Sequence, residues 1–508
     1  PITIDTPVTS VNSAGGGLIL NSIDLNGNQL NLLGSAPDAM IAGVISSTVA
    51  GGSLVKEDTG AWILSGYNTF SGGVTLHEGT LNINNPYALG DVAGTFTIGG
   101  TGHTVTIDNT SGSAIMLQDY PQVWKNDFVF AGSSDLNLGN SNIALSDDIL
   151  ITTTDGILTA GGTINTTFDL SKGGPGIFQF TNQDIKLHSL SILEGTFESP
   201  SAPGSLSLAG NFINNGTFIN NNGNVIFIGN TLQTIGGSQE TQFNNLDINN
   251  AAGAELGNHE NIEGTLTLTS GNLVLGAYNL TLGEAAVAGN PSVTHMIVAD
   301  GTGECRRNFI SDGSYLFPVG DASGTAEYTP VTLNLNSGTY NSAWVGVRVT
   351  DSQHPDDAST TDYISRYWSI SQSGVSSCTY DLTASFVPAD ITGNVNNMIT
   401  GQWLGSSPWI YYGPVSANEI SATGVTAFGD FTGITAVILP FNVVITANPG
   451  ASVCRNIPVS LTATPSGSST YTYLWSPNGE TSQTINPSTA VAGSVLYKVA
   501  VTDAIGNT

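Results

Sequence analysis

The chain has 508 residues, of which 10% are charged and 40% apolar, and its formal net charge is −29. That length exceeds one ordinary globular core, and the apolar fraction excludes a compositionally disordered chain. Thirty-nine acids against 10 bases repel phosphate backbones, so nucleic acid is not an expected partner.

The polar surface has to come mostly from Asn, Thr, Ser and Gln, a pattern common in secreted all-β proteins. The most apolar window, ITAVILPFNVVITA at 434 to 447, is short and broken by Pro440 and Asn442, so the chain is not expected to span a bilayer. It opens at Pro1 without a signal-peptide pattern and stops at Thr508 just past a strand-like run, which reads as a piece of a longer product.

Residues 1 to 290 consist of short alternating runs such as TLNINN, GTFTIGG and HTVTIDN, with Gly and Asn at the breaks. Apolar alternation with a period of two predicts strand after strand, and no window keeps helical spacing. The opening segment PITIDTPVTSV, 1 to 11, has two prolines in a strand-like run. It reads as a cap on the open strand edge, or as a donor strand for end-to-end pairing with another copy.

The stretch HEGTL at 77 to 81 returns as LEGTF at 193 to 197 and IEGTL at 262 to 266, with NNGTF at 214 to 218 as a fourth copy. The intervals from Glu78 to Glu194, Glu194 to Glu263 and Glu194 to Asn215 are close to five, three and one multiples of about 23 residues. A fixed period of that size predicts a coil-stacking solenoid. Asn215 stands where the other copies have glutamate, and an amide cannot exchange a proton near neutral pH. Glu78, Glu194 and Glu263 are therefore read as corners, with the shared glycine expected to supply a positive φ. Asn-rich turns fit stacked amides along the axis.

Residues 51 to 90, GGSLVKEDTGAWILSGYNTFSGGVTLHEGTLNINNPYALG, resemble the passenger-associated repeat of autotransporter β-helices. Trp62, Leu64, Gly66, Asn68, Thr69, Phe70, Gly72, Gly73, Gly79, Leu81, Leu89 and Gly90 all fall on that pattern. The resemblance implies a right-handed parallel β-helix. The later run from GNFINNGTFINNNGNVIFIG to GTLTLTSGNLVLGAYNLTLG is similar to repeats in large surface proteins of the Bacteroidota exported by type IX secretion.

From 291 to 437 the runs lengthen and gain aromatics (YLFPVGD, AWVGVRVTD, RYWSISQSG), which predicts a β-sandwich. Arg306, Arg307, Arg348 and Arg366 lie here and are expected in part to pair with buried acids. Residues 442 to 508 read as an immunoglobulin-like module around Trp475, and resemble the polycystic-kidney-disease-type repeat of bacterial adhesins. That repeat often pairs an early cysteine with a late one. Here the late position holds Asn507, so the resemblance leaves Cys454 without an intradomain partner.

Cys305, Cys378 and Cys454 are too few and too scattered for a disulfide framework, although a Cys305–Cys378 bridge is open. Histidines 77, 103, 188, 259, 295 and 354 lack zinc-ligand spacing. Asp147, Asp148, Asp155 and Asp184 are the candidates for a polysaccharide-cleaving β-helix, set against solvated turn acids. Loops 24–28, 320–328 and 351–357 offer oxygen ligands for calcium, set against plain acidic surface. Isolated Thr runs at 151–154 and 265–269 do not build an ice-binding face. The expectation is an extracellular all-β protein without catalysis, a surface adhesin or fibre subunit whose partners are copies of itself or a surface glycan or protein. The rivals are a polysaccharide-degrading enzyme and a structural envelope protein.

Overall fold

The computed structural model describes all residues except 1, 101, 104, 182, 286, 436–441, 467–469 and 504–508. Pro1 of the proposed cap, part of the 434–447 window and Asn507 thus lie outside the described residues. The chain forms two compact units: Pro1–Val298 with Thr302–Asn308, and Ala299–Gly301 with Phe309–Thr508.

The first unit is a parallel β-solenoid of about 15 turns. One face is a 13-stranded sheet from Val8–Asn12 to Leu266–Ser270. A second sheet starts at Ile19–Leu20 and reaches Ile297–Val298 within this unit. The third face comes in pieces, the longest a six-stranded sheet from Ile115–Met116 to Thr217–Ile219.

Alternation explains the faces. In the strand Val74–Leu76, Val74 and Leu76 are buried while Thr75 between them is half-exposed. The parallel ladder then places like residues on like, because each coil repeats the register of the last. Ile143, Ile164, Ile185 and Leu206 stack in one column at intervals of 21 residues. Elsewhere in the same sheet the interval is 26, from Phe96 to Gln122, or 19, from Leu206 to Val225. From Thr9 to Leu266 the register advances 257 residues in 12 coils, about 21 per coil, so the expected 23-residue period is corrected to a shorter mean over coils of unequal corner length, and the strands alone hold the register. Phe178, Phe197 and Phe218 form an interior stack, with ring centroids 6.0 and 6.2 Å apart, and all are buried. Burial of each ring contributes roughly 1.5–3 kcal/mol.

In the second unit, Val331–Thr350 and Tyr367–Ser385 form a long antiparallel pair. Gly313–Phe317, Glu419–Val425, Asp430–Thr435, Met398–Trp403 and Ile410–Pro414 extend this antiparallel sheet. Nearer the C-terminus, Val443–Asn448, Ser460–Pro465 and Thr484–Ile485 form one small sheet, and Tyr471–Ser476 pairs with Lys498–Asp503. Ala463, Trp475, Ile485 and Val501 form the buried core of this segment. Among the described residues the only helices are two 3-10 turns, Pro388–Asp390 and Val395–Asn397, and no helix is long and apolar enough to cross a membrane.

Candidate functional site: solenoid corners and a buried charge cluster

The repeated glutamates sit at corners, where Glu78 and Glu194 each contribute a backbone carbonyl and Glu263 accepts from Gln242 Nε2 through its carboxylate. Lys56, buried at the end of strand Ser53–Lys56, donates from Nζ to the carbonyls of Glu57 (2.7 Å), Asp58 (2.6 Å) and, in the next coil, Glu78 (3.0 Å). Lys172 does the same with the carbonyls of Gly173 (2.9 Å), Gly174 (2.7 Å) and Glu194 (3.1 Å). Burial pushes both ammonium groups down to about 8, opposed by the acids nearby, Asp58 first for Lys56 and Glu194 for Lys172. Each ammonium takes the place of water for three corner carbonyls inside the coil.

These lysines were missed in the sequence. Their signal is a lysine closing an alternating run (SLVK, DLSK), four residues before a glycine and 22 before the repeated glutamate.

The glycines of the motif do two different things. Gly79 and Gly195 adopt φ of 74° and 69°, as expected, and a Cβ on Gly195 would lie 2.2 Å from the Gly174 carbonyl oxygen. Gly216 and Gly264 are not in the left-handed region, which corrects the expectation for those two copies. They are held to glycine by crowding alone, their Cβ positions falling 2.6 Å from Gly195 O and 2.4 Å from Asn245 Oδ1. Asn68 stitches three coils. It accepts from Ile45 N at 2.8 Å and donates to Ala88 O at 2.7 Å.

The proposed catalytic aspartates are corner acceptors too. Asp127 Oδ1 accepts from Leu150 N (2.8 Å), Asp148 Oδ1 from Asp169 N (2.8 Å), and Asp169 Oδ1 from Ser189 N (3.0 Å), so one coil's carboxylate holds the next coil's amide. Asp184 accepts from Ser205 N (3.1 Å) in the same manner, whereas Asp147 and Asp155 each accept from the amide of the following residue. Asp147 and Asp148 line a shallow polar hollow with His103 and Asp127, and Asp155 and Asp184 are not part of it. Asp24 of the first calcium-candidate loop accepts from Thr48 N and Oγ1, both at 2.9 Å. These bonds hold its carboxyl below the usual range.

The histidines are dispersed. His77 faces Glu57, His103 faces Glu78, His188 meets Asp169, His354 meets Asp430, His259 accepts from Asn279 N and His295 lies against Asn290 O. All three cysteines are free thiols, Cys305 and Cys378 buried and Cys454 exposed.

Two charged groups lie inside the solenoid: Glu260, which the sequence did not single out, and Arg307, one of the arginines expected in part to pair with acids. Arg307 Nη1 donates to the carbonyls of Gly283, Glu284 and Ala285, repeating the lysine device with a guanidinium. Glu260 is buried and accepts from Thr241 N at 2.8 Å, and burial pushes its carboxyl up to about 8.

The second unit assembles what the sequence left scattered. Arg366, fully buried, donates from Nη1 to Asp321 Oδ2 (2.5 Å), from Nε to Asp390 Oδ2 (2.9 Å), and from Nη2 to Asp390 Oδ1 (3.2 Å), Asp351 Oδ1 (3.4 Å) and Glu327. Two of the three calcium-candidate loops thus meet here, 320–328 through Asp321 and Glu327 and 351–357 through Asp351. Of the other arginines, Arg306 pairs with Glu304 at 2.9 Å, and Arg348 is half-exposed on the long hairpin. One cation faces four carboxylates. Burial pushes Asp321 and Glu327 upward, partly offset by Arg366.

A family model described as the passenger-associated-transport-repeat matches residues 54–83, the coil segment that contains Lys56, Trp62, Asn68 and Gly79. The chain is similar to the "Adhesin BmaC autotransporter" of Brucella suis biovar 1, 25% identical over 152 residues, which is 28% of this chain and 4% of that protein. The chain therefore spans a small fraction of the length of that relative. No solved structure matches. The first unit is an autotransporter-like β-helix carrying a passenger repeat.

Proposed function

We propose that this protein is an extracellular surface adhesin in which the solenoid serves as a stiff, non-catalytic rod and the antiparallel unit presents contacts to a surface glycan or protein. The observation that carries this reading is the use of Asp127, Asp148 and Asp169 as corner acceptors between coils, in a solenoid whose passenger repeat occurs at 54–83. The likeness to a Brucella adhesin supports it. Parallel ladders align backbone hydrogen bonds along the axis, the arrangement that resists bending and extension.

The finer organisation belongs to the same reading: a solenoid over 1–290, a β-sandwich over 291–437 and an immunoglobulin-like module over 442–508. So do copy-to-copy pairing at the open strand edge, and export by the type IX route that the Bacteroidota resemblance implies. The antiparallel strands around Trp475 support a presenting module at 442–508.

The test is retention of chain-coated beads on glycan-coated and cell-coated surfaces under flow, alongside a depolymerisation assay on acidic and neutral polysaccharides. The reading expects retention without cleavage. Cleavage that disappears in an Asp147→Asn/Asp148→Asn variant contradicts it in favour of the enzyme. Absence of retention on every surface, with ordered sheets seen instead, favours a structural envelope protein.

A further inference from the structure

Tyr67 and Tyr87 face each other on the surface of the solenoid. They follow the paired strands Ala61–Leu64 and Gly79–Ile83 in successive coils, so the stacking of the coils sets one ring on the other. Their ring centroids are 4.0 Å apart and the ring planes meet at 29°. Tyr67 is 54% exposed and Tyr87 half-buried, so both phenols are open to solvent. The backbone beside the rings is pinned across the two coils. Asn68 N donates to Tyr87 O at 3.2 Å, and Asn68 Nδ2 donates to Ala88 O at 2.7 Å. Asn68 is itself buried, so these bonds keep the rings opposed. Tyr120, a third phenol close by, is buried with its hydroxyl given to Gly90 O at 2.9 Å, which shields it.

We propose that Tyr67 and Tyr87 form a site of oxidative cross-linking, joined by a dityrosine bond when the chain meets hydrogen peroxide and a haem peroxidase. Each phenol gives up one electron and its hydroxyl proton. The two phenoxyl radicals join through ring carbons ortho to their oxygens, and the hydrogen on each of those carbons moves to the oxygen as the rings regain aromaticity. Hydrogen peroxide takes up the two electrons and two protons and leaves as two waters. Tyr67, the more exposed ring, meets the oxidant. Its stacked neighbour lies in direct contact, so the radical passes to Tyr87 and a second oxidation of Tyr67 completes the pair. Holding both rings in place turns a bimolecular encounter of radicals into an intramolecular one. All three cysteines are free thiols, so this bond supplies a covalent staple between coils that no disulfide provides. Like any cross-link, it restricts the unfolded chain and opposes the parting of the two coils. This inference is independent of what the protein adheres to.

The experiment treats the full chain with a haem peroxidase and hydrogen peroxide, then unfolds it and digests it with a glutamate-specific protease. Cleavage after Glu78 separates Tyr67 from Tyr87 in sequence. Mass spectrometry should therefore find their two peptides still joined and lighter by two hydrogens, with dityrosine fluorescence in the same fraction. Tyr67→Phe and Tyr87→Phe keep both rings and with them the stack, and each should lower the joined product at least about tenfold. Hydrogen exchange at 61–64 and 79–83 should slow in the oxidised wild-type chain. Separate peptides after oxidation, links found only between different chains, or a joined product that persists in Tyr87→Phe would each overturn the proposal. Unchanged exchange in a fully joined chain would overturn the stapling role.

Discussion

The Lys172 ammonium lies 3.1 Å from the backbone carbonyl of Glu194 in the next coil, and Lys56 stands in the same relation to Glu78 at 3.0 Å. At these two corners the glutamate therefore matters through its main chain. Lys172→Met should lower stability by about 2 kcal/mol, because it strips three carbonyls of a charged donor. Glu194→Gln should change it by less than about 1 kcal/mol, since it removes only a half-screened attraction. Urea denaturation with hydrogen exchange over 170–198 separates the two. Equal losses in both variants would assign the role to the carboxylate.

Glu260 makes the solenoid sensitive to pH in a defined direction. Its carboxyl is raised from 4.5 to about 8 by burial. Between those values the folded state holds a proton that the unfolded state has released, so its contribution is complete below pH 4.5 and is lost as pH rises through 8. The loss is on the order of 5 kcal/mol. Glu260→Gln should flatten that part of the stability profile and raise stability at pH 8. The measurement is the difference between variant and wild-type melting at pH 5 and pH 8.

Positive φ and crowding are separable at the glycines. Gly276 has φ of 57° with nothing near its Cβ position, whereas Gly195 has φ of 69° and a carbonyl 2.2 Å away. Gly276→Ala should cost about 1 kcal/mol from backbone strain. Gly195→Ala should cost at least about 3 kcal/mol, because the coils must also separate. Chemical denaturation of the two variants gives the comparison.

The C-terminal strands depend on one side chain. Trp475 is fully buried among Ala463, Ile485 and Val501, and its Nε1 donates to Ser482 O at 2.9 Å. Trp475→Ala should cost about 3–5 kcal/mol and melt this segment first. Tryptophan-free exchange mapping over 443–503 would report it, and unaltered protection there would contradict the assignment of the core.

Much of the solenoid is legible in the sequence because each coil must alternate, and alternation, glycine corners and the repeated EGT motif all survive as letters. The unequal coil lengths are not legible, since a corner accepts an added residue without disturbing the strands on either side. Lys56 and Lys172 stayed hidden because a single lysine in an apolar run reads as a strand end, and only stacking reveals the carbonyls that surround it. The Arg366 cluster stayed hidden for another reason. Antiparallel pairing brings residues 321, 327, 351, 366 and 390 together, and no spacing rule along the chain records that. The loops supplying its acids were visible as oxygen-rich, but their meeting was not.

The proposed function is mechanical, with the corner acids serving to hold the coils of a rod together. Electron microscopy of the purified native chain tests it most directly. About 15 turns at ~4.8 Å per turn predict a straight rod segment about 70 Å long in every class average. Compact particles without such a segment, or a segment that bends freely between particles, would contradict the account.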